Sequence, residues 1–476
     1  MKRLLLIALA GLLVPVSLAA KVIPHHLVSD HMVLQQSTSV RLWGIGDPGK
    51  TVKVTASWTA NTWSAKVQND GRWEVMVETP KASYEPQTVT FDDGEKLTIT
   101  DILIGEVWVA GGQSNMEMPL KGYDGCPVEG YLDVIADAAN PPAVRYAKIP
   151  AVDSGVPLDD TDCHWTVVDR STVAEASATA YFFARMLSRQ LDMPVGVIES
   201  NKGGTRVEGW LNKKNLETYT DEPVDEKEIK AKYFFMHYPL LWYNGTFHPI
   251  IKYTIKGFIF YQGCSNVGDP AGRYAERLAL MVKQWREEFG LGDIPVHYVQ
   301  ISPWAGDFGE KADGDDVTRT RIEQQLAAAN IPNSAVICTD DCVYPYEINQ
   351  IHPTQKRKVG ERLAMLTLNR TYGQTWFPYE SPTFKSMQVD GDKVYLTFDH
   401  MDGGFNRMWD IQGFEVAGED RVFHPAPGTY NRGRVYVSSP EVPHPVAVRY
   451  SFRNFAPGNF GNGRGLPLFP FRTDDW

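Results

Sequence analysis

The sequence predicts an α/β fold, with a parallel sheet at its centre and β-rich segments on either side. Three observations predict it. Alternating, β-branched segments dominate residues 21–100. Near-continuous apolar runs then alternate with stretches whose apolar residues recur every three to four positions, from about residue 101 to 376. Alternation without helical periodicity returns from 377 to 476. Runs apolar on every residue read as strands buried on both faces, and their alternation with helices demands crossover connections between parallel strands.

In chain order, Lys2 and Arg3 followed by apolar Leu4–Val16 and small Ser17–Ala20 form a signal peptide, residues 1–20. The apolar stretch is short for the roughly 20 residues of a membrane span. Export makes the destination secreted or periplasmic, with no membrane insertion after the signal is removed. Val40–Trp43 and Thr51–Thr55 alternate, with Asp47-Pro48-Gly49 and Asn69-Asp70-Gly71 as turns, so residues 21–100 read as a small β-sandwich. The central segment opens with the run Ile102–Ala110. Comparable runs are Pro194–Ile198, Ile255–Tyr261, Val296–Ile301 and Ala335–Cys338, and Ala174–Leu191 and Tyr274–Phe289 carry helical spacing. In the last segment Lys393–Phe398, Arg434–Val437 and Val446–Tyr450 read as strands.

The formal net charge is −11 and no run of Lys or Arg forms a stripe, which argues against a nucleic-acid partner, because phosphate neutralisation needs clustered cations. Five cysteines in an exported chain permit disulfides and leave at least one thiol free; Cys338/Cys342 and Cys126/Cys163 are candidate pairs, and the sequence does not fix the connectivity. No CxxC pair supports a zinc site.

The chemistry gathers at strand ends. Ser114, in Gly111-Gly112-Gln113-Ser114-Asn115, follows the first buried strand, where open α/β sheets place their ligands. His352, in Ile351-His352-Pro353, follows the last sheet strand and suits a general base. Gly203 and Gly204 follow the strand at 194–198, and Asn266 follows that at 255–261. Their backbone N–H groups and the Asn amide are expected to hold a developing oxyanion, together with the Ser114 N–H.

These four segments resemble the sequence blocks of SGNH hydrolases: nucleophile Ser, oxyanion Gly, oxyanion Asn and base His. The mature chain more broadly resembles the sialate O-acetylesterase family. The likeness runs through Ser29–Gln35, Gly105–Trp108, Gly203–Thr205, Trp242–Gly245, Tyr261–Gly263, Ile351–Pro353 with Lys356, Gly360–Leu363, Ala447–Tyr450 and Pro470–Trp476. It implies a flavodoxin-like, three-layer SGNH hydrolase domain with accessory β-sandwich domains. It also implies removal of acetyl groups from an acetylated sugar or glycan, without metal or cofactor, O-acetylated sialic acid being the expected substrate.

Two departures from the family pattern stand out. Cys264 occupies the position usually held by Glu. Asn349 stands three residues before the His, where many SGNH hydrolases carry Asp. Glu347, Asp340 and Asp341 are the candidates for the missing carboxylate. An acetylxylan or other polysaccharide acetylesterase and a non-catalytic carbohydrate-binding protein are the alternative readings.

Overall fold

The computed structural model describes residues 22–218, 222–306, 309–377, 379–431 and 434–476. The signal-peptide segment 1–20 lies outside the described residues. The central sheet is built from β1 (Lys96–Gly112), β2 (Val144–Lys148), β3 (Trp165–Val167), β4 (Val195–Asn201), β5 (Gly257–Tyr261), β6 (Val296–Val299) and β7 (Ser334–Ile337). Their spatial order is β3-β2-β4-β1-β5-β6-β7. All neighbours are parallel except the edge strand β3.

The apolar runs explain this arrangement. From Ile102 to Gly112 every residue of β1 is buried, as a central parallel strand requires. Trp108 and Ala110 join Val195, Val197, Ile259 and Tyr261 in one apolar layer beneath α1 (Ala178–Leu191) and α4 (Lys356–Arg370). Val107 and Val109 point the opposite way, with Phe258 and Phe260, against Met281, Trp285 and Phe289 of α2 (Arg273–Phe289). The fourth long helix, α3 (Asp316–Asn330), packs beside α2. The period of two along each strand therefore feeds both faces of the sheet. Strands β2 and β3 and helices α3 and α4 were not read from the sequence. The two helices carry charged and polar residues through much of their length, which blurs the apolar period.

β1 also links the central sheet to the N-terminal region. Its first half pairs with Ser83–Asp92 and its second half with β4 and β5, so residue 100 lies inside one continuous strand. Among the described residues, the C-terminal segment forms two four-stranded sheets around Leu396, Phe414, Val435, Tyr450 and Phe460. No helix of the described residues is long and apolar enough to cross a membrane.

Neither candidate disulfide is formed: Cys126, Cys163, Cys264, Cys338 and Cys342 are all free thiols. The fold gives them other neighbours. Cys126 donates to Gln350 Oε1 at 3.3 Å, and Cys342 lies by Arg362 and Asp341.

Candidate functional site

Register brings the strand ends together. Gly112 aligns with Asn201 of β4 and with Tyr261 of β5, so the turns after these three strands leave the sheet at one level. Gly112 sits at φ +141, and a Cβ there would lie 2.2 Å from the Tyr261 carbonyl oxygen, so only glycine fits the bend. The bend delivers Ser114 to the start of a single helical turn, Ser114–Glu117. Gln113 anchors it: its N–H donates to Tyr261 O at 3.1 Å and its Oε1 accepts from Gly263 N at 2.9 Å.

The Ser114 Oγ and His352 Nε2 are 2.8 Å apart. With the ring proton on Nδ1, the hydroxyl donates to Nε2. Two residues hold the His352 loop against the Ser114 turn. Asn115 Nδ2 donates to Ile351 O at 2.9 Å, and Lys356 Nζ donates to Pro353 O at 2.7 Å and to Asn115 Oδ1 at 2.8 Å. The carbonyls on both sides of His352 are thus tied to the residue next to the serine. The Tyr123 ring meets the imidazole edge-on at 5.3 Å. The pair opens onto a cleft of about 540 Å³ whose walls include Glu117, Lys202, Gly203, Gly204 and Ser265.

Burial, and after it the nearby Lys356, push His352 down to about 4. Lys356 is fully buried, and burial pushes its ammonium down to about 7. Cys264, in the position where the family pattern has Glu, adjoins Lys356 and Asn115, and desolvation pushes its thiol up to about 12. A neutral thiol stands there, so position 264 brings Lys356 no counter-charge.

The structure places the expected site residues unequally. Ser114, His352, Gly203 and Gly204 line one cleft. Gly204 has φ +74, and a Cβ would press on Met236 Sδ at 2.5 Å. Among the described residues no protein group accepts from the N–H of Ser114 or Gly204. The Gly203 N–H donates to Glu117 Oε2 at 2.6 Å.

Asn266 requires correction. Its side chain is buried, and both amide hydrogens are committed, to Glu208 Oε2 at 3.0 Å and Asp269 Oδ2 at 2.9 Å. Its Oδ1 accepts from Val207 N and Gln262 Nε2. It pins the turn after β4 and does not offer a donor to the cleft.

The carboxylate candidates are likewise committed elsewhere. Glu347 accepts from Tyr344 N at 2.7 Å and Thr354 N at 2.8 Å, shaping the loop that carries His352. Asp340 pairs with Arg321 at 2.8 Å and accepts from Ser451. Asp341 pairs with Arg362 and Lys358, each at 2.7 Å. Asn349 is exposed. Among the described residues no carboxylate hydrogen-bonds to His352. Glu117, Asn115 and Lys356 were not assigned site roles from the sequence. Asn115 and Lys356 carried no local signal, because their value lies in contacts across 236 and 241 residues.

A parallel sheet with a hydrogen-bonded Ser–His pair beyond its carboxyl edge is an arrangement found in hydrolases. Comparison with known proteins agrees on the class, an esterase. Residues 104–369, more than half of the chain, match the family described as carbohydrate esterase, sialic acid-specific acetylesterase, and the chain belongs to that family. It is 26% identical to the human sialate O-acetylesterase over 404 residues, 78% of this chain and 75% of that protein. With the mouse sialate O-acetylesterase it shares 25% over 454 residues, 82% and 81% of the two chains. The crystal structure of a carbohydrate acetylesterase from Xanthomonas citri superposes with a TM-score of 0.84 at 32% identity, covering 96% of this chain and all of that one.

Proposed function

We propose that the protein hydrolyses O-acetyl esters of sugars, with Ser114 as nucleophile and His352 as general base. The observation that carries this reading is the 2.8 Å approach of Ser114 Oγ to His352 Nε2 inside an open cleft. Ser114 Oγ attacks the acetyl carbonyl while its proton passes to His352 Nε2. The carbonyl oxygen becomes an oxyanion, held by the Ser114 and Gly204 N–H groups, with Gly203 joining where substrate displaces Glu117. The C–O bond to the sugar then breaks, and the sugar oxygen takes the proton from His352. Water, activated by the same imidazole, cleaves the acetyl-enzyme to acetate and free Ser114.

The pair works as a dyad. Asn115 and Lys356 orient the imidazole loop, and among the described residues no carboxylate hydrogen-bonds to the ring. The parallel strands β4-β1-β5-β6-β7, with helices on both faces, support the flavodoxin-like SGNH reading of residues 101–376. The sheets before and after support accessory β-sandwich domains at 21–100 and 377–476. Residues 1–20 are read as an export signal that delivers the protein to the periplasm or the medium.

O-acetylated sialic acid is the first substrate to test, because the mammalian relatives are named for it. A neutral acetylated polysaccharide is the second, favoured by Cys264 in place of the family Glu. The purified mature protein and Ser114→Ala are assayed side by side on p-nitrophenyl acetate. Acetate release from 9-O-acetyl-N-acetylneuraminic acid and from acetylated xylan is then compared. Equal rates in the two proteins on p-nitrophenyl acetate remove Ser114 as nucleophile. Binding of the sugars without turnover of any ester makes the protein a carbohydrate-binding module.

A further inference from the structure

A second cavity, of about 320 Å³, adjoins the Ser114 cleft and shares Glu117 and Lys148 with it as common wall. Its floor comes from β4. Along one face of this strand, Val195 and Val197 enter the apolar core, and the next two residues on that face are Glu199 and Asn201. The face changes from apolar to polar where the strand leaves the core and reaches the carboxyl edge. Both side chains are buried, Glu199 at 2% and Asn201 at 5% exposure. Glu199 Oε1 accepts from Ser177 N at 2.9 Å. Glu199 Oε2 and Asn201 Oδ1 have no hydrogen-bond partner among the described residues.

Two buried acceptors without a partner in the wall of one cavity are costly unless something donates to them. The chemistry of the site narrows what that is. Glu199, Glu117 and, at the exposed rim, Asp162 bring acceptor oxygens; Lys148 and His164 are the basic groups of the wall, and both are exposed. A carboxylate or phosphate would meet more oxygen than nitrogen there, whereas hydroxyl groups donate to such oxygens. Burial also pushes the Glu199 carboxyl up to about 7, against the opposing pull of the exposed Lys148 ammonium.

We propose that this cavity is a subsite for the free hydroxyl groups of the sugar whose ester is presented to Ser114, with Glu199 and Asn201 as the residues that accept from them. Glu199 and Asn201 are therefore specificity residues and take no part in the acyl transfer. The identity of the ligand rests on the sugar-esterase reading; the presence of a hydroxyl-binding subsite does not depend on turnover. A site built to pair with a hydroxyl discriminates strongly, because without the hydroxyl its own polar groups stay unpaired.

The test uses Glu199→Gln, which keeps the acceptor for Ser177 N and replaces the second oxygen by an amide, and Asn201→Ala. Each is made in the wild type and in Ser114→Ala. In the Ser114→Ala background, calorimetry measures binding of acetylated xylo-oligosaccharides and of 9-O-acetyl-N-acetylneuraminic acid. Whichever sugar binds more tightly loses on the order of 10- to 100-fold in Kd with either substitution. In the otherwise wild-type background, kcat/KM on that sugar falls by a similar factor through KM, and kcat/KM on p-nitrophenyl acetate is unchanged. An unchanged Kd for both sugars, or no binding of either sugar to Ser114→Ala, overturns the subsite and leaves the cavity to water. A parallel loss on p-nitrophenyl acetate also overturns it, since a structural role would then account for both. Absence of p-nitrophenyl acetate turnover in the wild type, with the loss in Kd intact, removes the esterase mechanism and leaves the subsite standing.

Discussion

Acidifying the assay tests how His352 is held. The imidazole must be neutral to take the Ser114 proton, so activity is lost as pH falls through its pKa. Burial, with Lys356 adding to it, lowers that value from 6.5 to about 4. The sign is fixed: a lowered pKa extends the active range toward acid. At about pH 5, a base titrating near 4 is about nine-tenths neutral, whereas an ordinary histidine is only about 3% neutral. The rate kcat/KM for release of acetate, followed from about pH 3 to about pH 9 by direct acetate detection, is expected to show its acid limb near 4. Circular dichroism at each pH separates loss of fold from loss of base. Lys356→Met removes the ammonium beside the ring and moves the limb upward, toward the ordinary value. It also cuts the bonds to Pro353 O and Asn115 Oδ1, so the plateau falls by about 10-fold or more, as for a lost buried charged hydrogen bond. A wild-type limb at the ordinary histidine value, or a limb that Lys356→Met moves downward, refutes the reasoning.

Other outcomes follow from the same contacts. Ser114→Ala and His352→Ala each lower kcat on p-nitrophenyl acetate by about 10³-fold or more, and the double variant falls little further, because the two groups act as a unit. Asn266→Ala removes one donor from the buried Glu208 carboxylate and one from the partly buried Asp269, which keep their arginine partners; thermal unfolding registers a loss of about 1–3 kcal/mol, while kcat stays within about 10-fold of wild type. A 10²- to 10³-fold fall in kcat with unchanged stability would instead restore its oxyanion role. Gly203→Ala places a Cβ 2.9 Å from Glu117 Oε2 and 3.5 Å from Ser114 Cβ, inside the cleft, and lowers kcat/KM by about 10-fold or more with a smaller effect on unfolding. Alkylation of the unreduced, denatured protein labels five thiols, and reductant leaves the unfolding temperature unchanged; a mass deficit of two labels would establish a disulfide.

Local pattern carried the core of the reading. The apolar runs at 102–110, 194–198 and 255–261 became β1, β4 and β5, because a strand buried on both faces leaves its mark on every residue of a short segment. The glycines before Ser114 and after β4 marked sharp turns for the same local reason, and placing a nucleophile after the first strand and a base after the last brought Ser114 and His352 to one edge. Other features depended on residues far apart in the chain. Asn266 lies at the expected strand end, yet Glu208 and Asp269 reach its amide first. Glu347, Asp340 and Asp341 lie near His352 in sequence, but backbone N–H groups, Arg321 and Arg362 hold them elsewhere. Lys356 reads as one more charge in a polar stretch until the sheet, the Ser114 turn and the His352 loop close around it. Glu199 and Asn201 look like loop residues until register sets them beneath a cavity. Sequence determined which residues can do chemistry and where strands end. Tertiary structure decided which of them still have a free donor, acceptor or proton, because each such group is claimed by whichever partner the fold brings within hydrogen-bonding distance.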